Sequence, residues 1–140
     1  MNNPNIDHFL IIDDDPINNM ICSKYIKIVA PKADVRSFTD PQQGLDYISL
    51  AAASQAESKS IILLDINMPI LSGWDVLERF AQLPESVRKC FNIFILSSSV
   101  ALEDHQKADA SPFVSAFLQK PLRPEELARQ MIEVSDMAAN

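Results

Sequence analysis

Ser60-Ile61-Ile62-Leu63-Leu64-Asp65-Ile66-Asn67-Met68-Pro69 is the stretch from which the fold is read. Residues 61–64 are aliphatic without interruption, the pattern of a strand covered on both faces of a parallel sheet. The run delivers one carboxylate, Asp65, to the strand's carboxyl end, the edge at which open α/β sheets bind ligands because their loops diverge there. Taken alone, Asp65 could equally open a turn that Met68-Pro69 continues. The other strands decide between the two.

Upstream, Phe9-Leu10-Ile11-Ile12 is a second aliphatic strand, and it ends on Asp13-Asp14-Asp15-Pro16. Proline suits the first turn of a helix, which makes Asp15 the expected N-cap. Ile17, Met20, Ile21, Tyr25 and Ile28 then predict a helix that packs this stripe on the sheet. Ala33 to Phe38 alternates polar and apolar residues as an edge strand does. Asp40-Pro41-Gln42-Gln43 repeats the helix-start signal, and that helix is expected to run through Leu45, Ile48 and Ala52. Residues 54–59 read as a polar loop.

Downstream, Ser72-Gly73-Trp74-Asp75 has capping-box spacing, with Val76, Leu77, Phe80 and Leu83 on the buried face of its helix and Trp74 in packing. Residues 84–91 form a long connection with room for an extra helical turn. Ile93-Phe94-Ile95-Leu96 is the next buried strand, ending on Ser97-Ser98-Ser99. Residues 101–110 carry helix formers but a poor apolar stripe, so this helix is weakly anchored. Ser111-Pro112 stops it, Ala116-Phe117-Leu118 is the last strand, and Pro124 opens a helix packed through Leu127, Ala128, Met131 and Val134. Strand and helix alternate five times, which predicts a doubly wound, five-stranded parallel sheet with helices on both faces.

Composition bounds what such a fold can be doing. A chain of 140 residues that is 47% hydrophobic and 22% charged suits one globular domain, placed here at residues 7–140 behind a short polar lead, residues 1–6. A net charge of -7 argues against nucleic acid as a partner, since phosphates would be repelled. No apolar run is long enough to span a bilayer and the start lacks a basic signal-peptide region, so no membrane role and a cytoplasmic location are expected. Cys22 and Cys90 have no metal-ligand spacing and are expected to be free thiols. His8 reads as a strand-edge residue and His105 as a solvated helix residue.

Four apolar strands therefore hand polar groups to one edge: Asp13 and Asp14, Asp65, Ser97, and Lys120. Any one of them could be punctuation, but the set is hard to explain that way. Crowded carboxylates repel unless a cation joins them, and hard oxygen donors with room for water and phosphate suit Mg²⁺. A carboxylate can accept a phosphoryl group, whose spreading charge a metal, a lysine and a hydroxyl would stabilise. The residues thus suit magnesium-dependent phosphorylation of Asp65. The serine run leaves Ser97 and Ser98 as alternatives, and the acidic run leaves Asp14 and Asp15.

Ile-Ile-Asp13-Asp14, Leu-Asp65-Ile-Asn-Met-Pro69 with Gly73 eight residues beyond the acid, Ile-Leu-Ser97-Ser98 and Leu-Gln-Lys120-Pro121 together resemble the receiver domain of bacterial two-component response regulators, over residues 8–137. The resemblance implies a flavodoxin-like sheet in order 2-1-3-4-5. It also implies that Asp65 takes its phosphoryl group from a phosphohistidine on a sensor histidine kinase or histidine phosphotransfer protein. Asp14 would bind Mg²⁺ directly and Asp13 through water, Asn67 would lend a backbone carbonyl to the metal, and Lys120 would pair with the phosphoryl oxygens. Ser97 would donate its hydroxyl and draw its loop inward, with the aromatic Phe117 swinging in alongside, and the Lys120-Pro121 bond would be cis. Ser stands where Thr is commoner, Phe where Tyr is, and Ser111-Pro112 where a glycine is usual before the last strand. With the chain ending soon after its last helix, a stand-alone signalling module with a downstream protein partner is expected, self-phosphorylating but not a dedicated enzyme.

Two other readings compete. Asp13-Asp14-Asp15-Pro16-Ile17 nearly fits the DxDx[TV] signature of haloacid-dehalogenase-type phosphatases, although Ile17 replaces the Thr or Val and no late acidic pair follows. The same fold could also serve as an interaction module that is never phosphorylated, but such a module has no need for clustered acids.

Overall fold

A computed structural model describes residues 6–51 and 59–139 of the chain. Their elements run β1 (Ile6–Ile12), α1 (Pro16–Val29), β2 (Asp34–Phe38), α2 (Pro41–Ala51), β3 (Lys59–Leu64), α3 (Gly73–Ala81), α4 (Glu85–Arg88), β4 (Phe91–Ser97), α5 (Leu102–Ala110), β5 (Val114–Gln119) and α6 (Pro124–Ala139). The strands form one parallel sheet in the order β2-β1-β3-β4-β5, as the resemblance implied. β1 starts at Ile6 and β3 at Lys59, so both of those residues belong to strands rather than to the polar lead and the loop. Ala52 and residues 54–58 lie outside the described residues.

Successive residues of a strand point to opposite faces, and the aliphatic runs feed two cores accordingly. Leu10, Ile12, Ile62, Leu64, Ile93 and Ile95 pack with α2, α3 and Ala108 of α5. Phe9, Ile11, Ile61, Leu63, Phe94 and Leu96 pack with α1 and α6. This is why the three central strands read as unbroken apolar runs and why edge strand β2 does not.

Most caps follow their sequence signals. Asp15 accepts from the N–H groups of Ile17 and Asn18, and Ser72 and Asp75 form a reciprocal capping box. The extra turn in the long connection is α4. The buried face of α1, however, is Asn19, Cys22 and Ile26. Of the expected stripe only Tyr25 packs inward; Ile17, 64% exposed, Met20, 54%, Ile21, 39%, and Ile28, 65%, face outward. The reason is tertiary: the Asn19 side-chain amide donates to the Asp13 carbonyl at 3.0 Å, fixing the helix's rotation against the end of β1. His105 lies on helix α5 as expected, but neither histidine sits as freely as its sequence context implied. His8 lies inside β1, an interior strand, and His105 stacks on Phe117 with ring centroids 3.9 Å apart. Among the described residues no helix is long and apolar enough to cross a membrane.

Candidate functional site

The carboxyl ends of β1, β3, β4 and β5 lie side by side, and the polar residues that follow them meet. Carboxylate oxygens of Asp13, Asp14 and Asp65 all lie within 4.8 Å of one another. Asp13 is 2% and Asp65 6% exposed, whereas Asp14 faces solvent. Beyond β5, the Lys120 ammonium is 2.8 Å from Asp13 Oδ2 and 3.7 Å from Asp65 Oδ2. Ser97, fully buried at the end of β4, accepts at Oγ from the Asn67 side-chain amide at 3.4 Å and from the Ser99 N–H at 3.0 Å. The Lys120 N–H donates to the Ser97 carbonyl at 2.9 Å, and the Lys120-Pro121 bond is cis. Asp13, Asp14, Asp65, Asn67, Ser97 and Lys120 are thus one connected group. Phe117 stands apart, half-buried against His105.

Both alternatives left open by the sequence are separated by geometry. Asp15 is occupied as the α1 cap, so the acid beside Asp13 and Asp65 is Asp14. Ser98 is exposed, so the inward hydroxyl belongs to Ser97. Two supporting residues had no signal beyond being asparagines inside a helix, where that residue type is disfavoured. The Asn18 amide donates to Asp13 Oδ2 at 2.7 Å and Asn19 holds the Asp13 carbonyl, while the Asp15 N–H donates to Asp13 Oδ1 at 2.9 Å. The buried Asp13 is therefore fixed through three neighbours besides Lys120.

Burial pushes the Asp65 carboxyl above the usual carboxylate range. The Asn67 N–H opposes that push, the charge of Asp13 adds to it, Lys120 offsets part of it, and Asp14 adds again. Lys120 is raised: burial disfavours its charge, but the bond to Asp13 and the fields of Asp13 and Asp65 outweigh that. Burial, with the Asp13 charge, also pushes the Cys22 thiol up to about 11. Both cysteines are buried and unpaired.

A stability prediction follows from the sign of the Asp65 shift. The folded chain holds the Asp65 proton more tightly than the unfolded chain does, so the contribution of this group is fully present below the ordinary carboxylate range. It is lost as pH rises through that range to the raised value. In chelator, the melting midpoint of the wild type should fall relative to that of an Asp65→Asn variant as pH climbs from about 4 to 7. Millimolar magnesium should narrow the gap at neutral pH. A gap that is constant with pH would sink this account of the site's charge.

Three carboxylates facing one ammonium leave a net negative pocket of hard oxygen donors. That set fits a small divalent cation such as Mg²⁺, which takes one or two carboxylates and keeps several waters.

Comparisons with known proteins identify relatives of this chain in sequence and in fold. The family described as the response regulator receiver domain matches residues 9–132. The probable methanogenesis regulatory protein FilR2 of Methanothrix harundinacea (strain 6Ac) is 25% identical over 128 residues, covering 91% of this chain and 80% of that protein. The cyclic di-GMP phosphodiesterase response regulator RpfG of Xanthomonas campestris pv. campestris is 32% identical over 120 residues, 86% of this chain, but the chain spans only 29% of its length. A solved two component response regulator from Cytophaga hutchinsonii superposes with a TM-score of 0.83 at 30% identity, covering 94% of this chain and 98% of that one. A response regulator receiver protein from Dyadobacter fermentans gives 0.75 at 29% identity, with 89% and 97% covered. The strand order, the polar groups gathered at one sheet edge and the family match from β1 into α6 lead to one conclusion: this chain belongs to the response regulator receiver domain family of two-component signalling.

Proposed function

We propose that the chain is a magnesium-dependent phosphorylation switch whose acceptor is Asp65, charged by a phosphohistidine on a histidine kinase or histidine phosphotransfer protein. The observation that carries this is a buried carboxylate, Asp65, set 3.7 Å from an ammonium and grouped with two further acids. In the transfer an Asp65 oxygen attacks phosphorus, the P–N bond to the donor imidazole breaks, and its electron pair stays on the imidazole. The product is an acyl phosphate.

Magnesium held by Asp13, Asp14, Asp65 and the Asn67 carbonyl would supply positive charge for the phosphoryl oxygens. Lys120 turns from Asp13 to a phosphoryl oxygen, and the Asp15 N–H and the Asn18 amide keep Asp13 partnered when it does. Ser97 donates its hydroxyl to a second oxygen. The added charge, about two units, draws the Ser97 loop and Phe117 inward and changes the surface that a downstream protein reads.

The outward stripe of α1 supports a helical phosphodonor. Ile17, Met20 and Ile21 are exposed at helical spacing and begin just past Asp14, where a partner's amphipathic helix could lie. The phosphatase reading is disfavoured because Asp15, its required second acid, is taken up in capping α1. The passive-module reading is disfavoured by the grouping of Asp13, Asp14 and Asp65, since a scaffold has no need for clustered, mutually repelling acids.

The test is incubation with Mg²⁺ and acetyl phosphate, followed by peptide mapping. One hydroxylamine-labile phosphate per chain on Asp65 is expected; no label, or label elsewhere, overturns the reading. Replacing both Ile17 and Met20 with Ser should slow transfer from a phosphorylated kinase roughly tenfold and leave acetyl phosphate labelling unchanged.

A further inference from the structure

The loop after Ser97 is tied to two other elements by side chains that the phosphoryl chemistry does not use. Ser99 Oγ donates to Asp104 Oδ2 at 2.5 Å and accepts the Ala101 N–H at 3.2 Å. Asp104 Oδ1 accepts the indole N–H of Trp74 at 3.3 Å, so one carboxylate joins the loop, α5 and α3. The neighbouring His105 stacks on Phe117, and the Lys107 ammonium lies 5.4 Å over the Trp74 ring.

This arrangement diverts a local cap into a long-range tie. Ala101 caps α5 without a side-chain bond of its own, and Asp104 stands three residues later, where an acid ordinarily reaches back to the cap N–H. Here that N–H goes to Ser99, and Asp104 turns to Ser99 and Trp74 instead. α5 buries only Ala108, so polar and aromatic ties, more than apolar packing, set where it sits. Ties of that kind can be exchanged at low cost.

We propose that Asp104 is a positioning residue which, acting through Ser99, restrains the loop that carries Ser97, so that closing this loop on a phosphoryl group costs the Ser99–Asp104 bond. The inference rests on the phosphoacceptor reading and adds what restrains that site. The Ser97 hydroxyl oxygen takes the Ser99 N–H, so carrying it toward a phosphoryl group on Asp65 pulls on Ser99 and draws Ser99 Oγ off Asp104. Asp104 thereby stabilises the resting arrangement alone, and its removal shifts the population toward the competent one. Trp74, the chain's single tryptophan, loses its carboxylate partner in the same step and reports it.

The test titrates beryllium fluoride, an acyl-phosphate mimic, in Mg²⁺ against wild type, Asp104→Ala and Ser99→Ala. Both variants should bind about tenfold tighter than wild type, the scale of one lost hydrogen bond to a charged group. Saturation should shift Trp74 emission in wild type and leave it unmoved in Asp104→Ala. A merely structural role predicts looser binding instead. Equal or weaker binding by the variants overturns the proposal, and if Asp104→Ala fails to fold, Ser99→Ala decides alone. If wild type binds no more beryllium fluoride than Asp65→Asn does, the phosphoacceptor reading falls and this inference with it. Wild-type binding with unchanged variant affinity removes only the role of Asp104.

Discussion

Asp65→Asn is expected to reduce phosphate incorporation from acetyl phosphate or from a phosphorylated kinase to background, and at neutral pH without metal to raise the melting midpoint. The two effects have one source. Asp65 is the proposed acceptor, a buried carboxylate 3.7 Å from the Lys120 ammonium, so the amide removes the attacking oxyanion. The same carboxylate is held above its usual range by burial and by Asp13 and Asp14, which means that its ionised form works against the fold. An amide of nearly the same shape keeps an acceptor for the Asn67 N–H and discards the charge. Calorimetry beside a labelling assay checks both halves. A variant that still takes up phosphate locates the acceptor elsewhere, and one that melts lower than wild type in chelator removes the charge argument.

The parts of the fold legible in the sequence were those whose causes are local. Residues 9–12, 61–64 and 93–96 are unbroken aliphatic runs because their strands are covered on both faces, and each delivers its chemistry to the same edge by ending there. Asp15, Ser72 and Asp75 announce helix starts because a cap acts within a few residues of itself. The face of α1 was not legible. Two stripes compete along that helix, and the one richer in aliphatic residues, through Ile17, Met20, Ile21 and Ile28, is the exposed one. The choice is made by Asn19 reaching the Asp13 carbonyl, a contact that hydrophobic periodicity does not encode.

The candidate site divides the same way. Asp13, Asp14, Asp65, Ser97 and Lys120 were legible because a strand end is a position along the chain. The residues that hold them were not. Asn18 meets Asp13, and Trp74 meets Asp104, only after α1 is rotated and α3 and α5 are packed on the sheet. His105 looked solvated because its neighbours in sequence are polar. Its partner, Phe117, comes from β5, outside the helix that carries it.

Gly73→Ala is expected to cost the fold about 3 kcal/mol, lowering the melting midpoint by roughly 10 °C, and to misplace the acceptor in whatever fraction stays folded. The glycine is required by closeness, since no described glycine has a positive φ. A Cβ on Gly73 would lie 2.5 Å from the Asp65 carbonyl oxygen and 2.6 Å from the Ile66 Cα. Both are backbone atoms, and neither can rotate aside. The Asp65 N–H is pinned to the Ile12 carbonyl at 3.0 Å and the Gly73 N–H to the Ile66 carbonyl at 3.2 Å, so relief means moving α3 off the strand end or twisting the peptide that carries the acceptor carboxylate. Gly44→Ala is the control. Its added Cβ would meet Ile12 Cδ1 at 2.8 Å and Cγ1 at 3.0 Å, side-chain atoms of a core residue rather than fixed backbone, and α2 gains about 1 kcal/mol of helix propensity in return. Chemical denaturation of both variants, read with acetyl phosphate labelling, should therefore separate them: Gly44→Ala with the smaller loss of stability and labelling kept, Gly73→Ala low in both. Equal stability of the two would show that the junction of Asp65 and α3 is slack, and a slack junction could not hold the Asp65 carboxylate against Lys120 and the other acids.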